Sequence, residues 1–357
     1  MSGKTVGISD MALYVPESMI RLDTILEKRT KEKPELERRL RRAIESTSQT
    51  AIRFPKPWQD PVTLAAQASR ELLTRGSGRA ESVRYFAVGT ETSVDMSKPI
   101  AAYAQGALQR SGVPVPDAIS TFQVQHACAG GTIGLASVSA LLQAGAIGDE
   151  TGLVVCTDVA RYDTPSTAEI TQGAGAVAML VEENPDLLEF DLPAIGVASH
   201  DVDDFFRPLN SITARVKGRY SVDCYNDALN EAFLNHVERA SSTPTDVITN
   251  TDMFVLHVPF YKMAVSGMTG LLKRHMEYTP DEIDAFLQDR GFCQALEASR
   301  IVGNIYSGSL YMALMYTLAD RFQTFGDKIV GKRFLLASYG SGNTMMVIPG
   351  RVAEKAP

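Results

Sequence analysis

Short, almost purely apolar runs alternate along this chain with longer segments whose apolar residues recur every three to four positions. The runs at 83–90 (VRYFAVGT), 121–124, 152–157 (GLVVCT) and 176–181 (AVAMLV) read as buried strands of the first half. The second half repeats the plan with 253–258 (MFVLHV), 333–338 (RFLLAS) and 344–348 (TMMVI). Helical spacing is predicted over 60–73, 132–144 and 309–322. Asp60 and Pro61 supply an N-cap and a tolerated first-turn proline. Thr279, Pro280 and Glu282 form a capping-box signature for a further helix. Strand and helix in alternation predict an α/β fold. Residues 184–220 show no sustained period and read as an inserted loop region. They follow an N-terminal half at 1–184 and open a C-terminal half at 185–357.

Composition narrows the function classes. A formal net charge of -7 over 357 residues lacks the concentrated basic surface that nucleic acid requires. One basic run, ELERRLRRAIES at 35–46, spaces Leu36, Leu40 and Ile44 as one face of an amphipathic helix. Its arginines form a solvated face or a surface for the phosphates of a carrier. No basic-then-apolar leader opens the sequence, and no apolar run attains the roughly 18 residues of a membrane span. A cytoplasmic location without membrane contact is therefore expected. Four scattered cysteines, with neither a C-x-x-C pair nor a histidine ladder, argue against structural zinc and disulfides.

Cys128 lies in QHACAGGT, between the strand at 121–124 and the small-residue helix at 132–144. A helix start stabilises a thiolate, and the following glycines permit close approach of a substrate; an inert, packed thiol is the alternative. Glu91 follows a strand in VGTET, a place suited to presenting a carboxylate, or to a solvated loop glutamate. His257 ends the apolar run before Val258 and Pro259, where a core histidine is the other reading. Asn304, in GNIYSGS, fits either a polar pocket or a turn and helix cap. Cys156, Cys224, Cys293 and His126 are assigned to packing or local hydrogen bonding.

The segments VGTETSVDMSK, QHACAGGT, TDVARYDTPSTAEITQGAGAVAML, DVDDFFRP, FVLHVPFYKM, VGNIYSGSLY and SYGSGN, in this order, resemble the hydroxymethylglutaryl-CoA synthase family of the thiolase superfamily. The resemblance covers most of the chain. It implies a duplicated thiolase-like fold of α-β-α-β-α layers, assembled as a homodimer. It implies that Cys128 takes an acetyl group from acetyl-CoA, Glu91 acts as general base and His257 polarises acetoacetyl-CoA. Asn304, Ser341, Lys262 and Tyr162 would contact substrate, and N–H groups of Cys128 and the Ser341 region would form an oxyanion hole. Neither metal nor redox cofactor is needed. The mevalonate route to isoprenoids is the implied setting.

Two features of the sequence bear on the substrate. Ala129 stands where the family pattern usually carries tyrosine, giving a local resemblance to ketoacyl-acyl-carrier-protein synthase III and an expectation of extra room beside Cys128. After His257, only Lys262 remains of a lysine-rich continuation. A related condensing synthase using a carrier-protein thioester, a decarboxylative ketoacyl synthase and a non-catalytic acyl-binding scaffold are the competing readings. Glu91 separates the first from the decarboxylative enzyme, which makes its carbanion by losing carbon dioxide.

Overall fold

A computed structural model describes residues 4–76, 78–145 and 149–356. The strands, in chain order, are β1 (Val6–Tyr14), β2 (Met19–Arg21), β3 (Ala51–Arg53), β4 (Val83–Gly89), β5 (Ser120–Val124), β6 (Thr151–Val159) and β7 (Ala174–Glu183). They continue with β8 (Leu188–Phe190), β9 (Gly196–Ser199), β10 (Phe205–Phe206), β11 (Arg215–Val216), β12 (Met253–Leu256), β13 (Arg333–Gly340) and β14 (Thr344–Val352). Ten of these form one sheet in the order β12-β13-β14-β8-β1-β7-β6-β4-β5, with β9 also on β14.

The pairing repeats. In the first half β1 runs antiparallel to β7, β7 antiparallel to β6, and β6 parallel to β4. In the second, β9 runs antiparallel to β14, β14 antiparallel to β13, and β13 parallel to β12. Three-residue β8 joins the halves by pairing with both β1 and β14.

Helices fill the remaining layers. Pro61–Leu73 packs on the outer face of β1, β6 and β7, and Gly218–Arg239 on β9 and β14. Between the two sheet halves lie Gly130–Ala144 and Ser307–Phe325, the second touching β6 and β7 on one side and β12 and β13 on the other. The five layers are therefore helix, sheet, helix, sheet, helix. Strands buried on both faces explain the continuous apolar runs: every residue of β6 is buried.

Local signals fix the helix ends. The Asp60 carboxylate accepts from Thr63 N–H, and Thr279 and Glu282 make a reciprocal capping box. Within 35–46, Glu37–Thr47 is helical, with Leu40 fully buried and its arginine face outward.

Two expectations need correction. The segment 184–220 contains β8 and β9, both strands of the main sheet; runs of three and four residues are too short to show alternation. Ala127–Ala144 is long and apolar enough to meet a membrane-span criterion by composition. It includes the central helix, whose apolarity reflects burial between two sheets.

Candidate active site

Strand ends and helix starts converge at the seam between the halves. β4 ends at Gly89, and a Cβ there would lie 2.0 Å from the Gly131 nitrogen, so the strand end meets the helix start backbone to backbone. The turn before the helix forces Ala127 to φ 42°, and Cys128 follows it into a small apolar pocket with Tyr162, Phe205, Ala214 and Tyr306. The second half supplies corresponding parts. His257 follows β12 as Glu91 follows β4, and Tyr306, at φ 50°, precedes the central helix Ser307–Phe325.

Cys128 Sγ donates to Glu91 Oε1 at 3.2 Å. The other carboxylate oxygen of Glu91 faces Arg207 Nη1 at 3.4 Å, and the same nitrogen donates to the Glu91 carbonyl oxygen. Arg207 Nη2 donates to the Tyr306 hydroxyl at 3.2 Å. Beneath Glu91 lies a second buried carboxylate, Asp158, on β6. Its Oδ1 accepts from Thr90 Oγ1, Glu91 N–H, Thr92 N–H and Thr92 Oγ1 at 2.7–3.1 Å, fixing the loop that carries the base.

Burial raises the Glu91 carboxyl above the ordinary carboxylate range, opposed chiefly by the Arg207 charge. Burial, reinforced by the Glu91 charge, pushes the Cys128 thiol well up. The resting nucleophile is thus a thiol donating to Glu91. Desolvation and the adjacent carboxylate oppose the helix-start effect expected from sequence.

A cavity of about 320 Å³ brings together Cys128, Tyr162, His257, Asn304, Tyr306 and Ser341. Burial drives the His257 imidazole down to about 3, so it is neutral across the working range, and its Nδ1 has no protein partner. Asn304 Oδ1 accepts from Tyr306 N–H at 2.8 Å and Ser309 Oγ at 3.1 Å. Both earlier readings of Asn304 therefore meet here: it braces the strained helix start and lines the cavity.

Ser341 reaches the site because β13 passes very close to the nucleophile turn. A Cβ on Gly340 would sit 2.4 Å from the His126 carbonyl oxygen. Asp204 holds the next turn, accepting from Gly342 N–H at 2.9 Å, Tyr339 Oη at 2.8 Å and Ser221 Oγ at 3.0 Å. Among the described residues, neither Cys128 N–H nor Ser341 N–H donates to a protein backbone acceptor.

Lys262 is not brought to the cavity. It is exposed near the start of helix Tyr261–His275 and donates to the Glu45 carbonyl oxygen on helix Glu37–Thr47. Ala129 is also absent from the cavity wall; it is fully buried against Gly340. The space beside Cys128 is instead walled by the Tyr162, Phe205 and Tyr306 rings, edge to face at 6.1–6.4 Å. Arg207, Asp158, Asp204 and Tyr306 were given no role from sequence. Their signal was present in DVDDFFRP, TDVARY and GNIYSGS, but the charged pairs join residues far apart in the chain.

A duplicated fold with a buried thiol, a facing carboxylate and a neutral histidine at its seam defines a thiolase-fold acyltransferase that makes carbon–carbon bonds. Family models described as hydroxymethylglutaryl-coenzyme A synthase N terminal and C terminal match residues 2–186 and residues 190–285 with 270–357. The chain belongs to the hydroxymethylglutaryl-CoA synthase family. The Enterococcus faecalis enzyme of that name is 31% identical over 340 residues, covering 95% of this chain and 80% of the relative. The Haloferax volcanii enzyme is 29% identical, covering 84% and 75%. The solved structure of MvaS in complex with 3-hydroxy-3-methylglutaryl coenzyme A is 33% identical, with a TM-score of 0.84 over 99% of this chain and 85% of that one. The curacin-pathway HMG synthase, at 24% identity and a TM-score of 0.86 over 99% and 81%, shares the fold. The protein is thus a hydroxymethylglutaryl-CoA synthase-like condensing enzyme acting on acyl thioesters.

Proposed function

We propose that this enzyme condenses acetyl-CoA with acetoacetyl-CoA through an acetyl group carried on Cys128, with Glu91 as base and His257 holding the acceptor. The observation that carries this reading is the 3.2 Å approach of Cys128 Sγ, which shares its cavity with His257 and Asn304, to Glu91, which lines the adjoining cavity of about 660 Å³. Cys128 sulfur attacks the acetyl carbonyl, CoA departs as its thiol, and the acetyl remains activated as a thioester at fixed geometry. The N–H groups of Cys128 and Ser341 receive the oxyanion. Glu91 then takes a methyl proton. The resulting enolate attacks the ketone carbon of acetoacetyl-CoA, while neutral His257 donates a hydrogen bond to the ketone oxygen; the alkoxide so formed becomes a hydroxyl by gaining one proton, which balances the methyl proton taken up by Glu91. Water hydrolyses the enzyme thioester, releasing hydroxymethylglutaryl-CoA and Cys128.

Each remaining polar group has a stated part. Asn304 supports the pocket through Tyr306, and Tyr162 packs beside the acetyl-cysteine. No metal or redox cofactor enters any step. The mevalonate route to isoprenoids, in the cytoplasm, is the setting this proposal carries. Carrier-bound acyl groups are the second reading. It is favoured by the likeness in fold to the curacin-pathway enzyme, which has been solved in complex with a donor-ACP.

The test is a purified-enzyme panel of acetoacetyl-CoA, longer β-ketoacyl-CoAs, carrier-bound β-ketoacyl groups and malonyl thioesters, each with acetyl-CoA. Acetoacetyl-CoA is expected to give hydroxymethylglutaryl-CoA without carbon dioxide. Product from malonyl thioesters alone, with carbon dioxide released, would overturn the reading.

A homodimer is part of the same proposal. Among the described residues β5 ends the sheet without an outer neighbour, and a cavity of about 660 Å³ behind Glu91 carries the exposed apolar side chains of Val94, Met96, Leu209 and Ile212. Free sheet edges and clustered exposed apolar groups mark association surfaces. Light scattering should return twice the 38.8 kDa chain mass; a single-chain mass at working concentration would refute it.

A further inference from the structure

Asp158 and Glu91 lie on neighbouring elements, yet they are satisfied in different ways. Asp158 Oδ1 gathers two backbone N–H groups and two hydroxyls. Dipoles alone therefore hold one of its oxygens. The Glu91 side chain, only 6% exposed, receives no backbone donor; its two oxygens meet the Cys128 thiol and Arg207. Among the described residues Arg207 is the one cation within ion-pairing distance of it.

The placement of Arg207 is equally specific. It follows β10 within the C-terminal half, between β9 and helix Gly218–Arg239, where β10 pairs with β11 and Phe205 packs in the apolar cluster that holds Cys128. Its guanidinium, 14% exposed, holds the Glu91 main chain and side chain together and reaches the Tyr306 hydroxyl from the opposite half. The Arg207 Nε–H has no protein partner. A buried guanidinium with an unsatisfied donor is costly unless its charge is used. Here it faces a carboxylate whose one other stabilising donor is the Cys128 thiol.

We propose that Arg207 is the positioning residue for the condensation step, clamping the Glu91 carboxylate between the nucleophile and Tyr306 and holding it as the anion that takes the methyl proton. The proposal rests on the reading of Glu91 as base. Arg207 itself touches no reacting atom. When Cys128 is acetylated, its Sγ–H no longer holds Glu91 Oε1, and the Arg207 contacts are what keep the carboxylate in place. The other groups facing Glu91 are Asp158 from β6, the Tyr162 and Tyr306 phenols, and, across the larger cavity, Asp60, His126 and Arg161. Of the buried ones, Arg207 alone favours the anion once acetylation has removed the Cys128 Sγ–H bond.

The test uses preformed acetyl-enzyme, so that thiol ionisation plays no part, and follows one turnover with acetoacetyl-CoA across pH. Burial raises Glu91 and Arg207 lowers it, so Arg207→Met should move the acid limb to higher pH by about one unit. Its plateau rate should fall about tenfold or more from lost positioning. Arg207→Lys, which keeps the charge but not the fork, should restore the acid limb while leaving the plateau reduced. An unmoved limb in Arg207→Met, with circular dichroism showing a folded protein, would overturn the proposal whatever happened to the rate. Should Arg207→Met not fold, an Arg207→Lys plateau equal to wild type would overturn the clamp. The underlying reading fails separately: Glu91→Gln condensing at the wild-type rate would remove the base itself.

Discussion

Cys128→Ser is expected to abolish acetyl loading, lowering turnover at least about 10³-fold, as loss of a nucleophile does in other covalent enzymes. Brief incubation with acetyl-CoA should add one acetyl group to the wild-type chain, and peptide mass mapping should place it on Cys128. Cys156 is the informative control. It is fully buried and its thiol is also pushed well up, by burial and then by Asp158. What separates the two is access and company: Cys128 opens on the cavity and faces Glu91, whereas Cys156 packs against Gly131. Label on Cys156, or consumption of acetoacetyl-CoA with no label anywhere, would refute the assignment.

Glu91→Ala should separate the two half-reactions. Condensation is expected to fall by about 10² to 10⁴, the usual worth of a positioned general base. Acetylation of Cys128 should survive, for an electrostatic reason. Besides accepting the Sγ–H bond, the Glu91 charge raises the thiol, so removing it makes the thiolate easier to form even as an acceptor is lost. His257→Ala should behave differently again, raising KM for the second substrate about tenfold through loss of a buried hydrogen bond. Equal loss of acetylation and condensation in Glu91→Ala would rule out this division of labour.

The parts of this fold that were legible in the sequence are those with local causes. The caps at Asp60 and Thr279 and the doubly buried strands β6, β7 and β13 are written in a few adjacent residues. The nucleophile turn was legible too, because Gly130 and Gly131 are required where Gly89 meets the helix start. What lies beyond local pattern is pairing at a distance. Nothing near Arg207 indicates that its partner is Glu91, 116 positions away. Nor does a single alanine disclose that Ala129 faces Gly340 instead of the cavity, since its direction depends on β13 arriving from the other half. Burial of the thiol belongs with these distant effects: the helix start is local, whereas burial is collective.

The seam has a stereochemical consequence. Loop ends after matching strands, β4 and β12, carry Glu91 and His257, and turns before matching helices carry Cys128 and Tyr306. The backbone is repeated while the chemistry is not. In the proposed reaction the acetyl group is tethered to one half and the ketone is held by the other, so the enolate would reach the ketone carbon from one side only. The tertiary alcohol carbon of hydroxymethylglutaryl-CoA bears four different groups, and one-sided approach makes it a single enantiomer. The near twofold symmetry of the scaffold, broken at its functional side chains, is thereby read out as the handedness of the product.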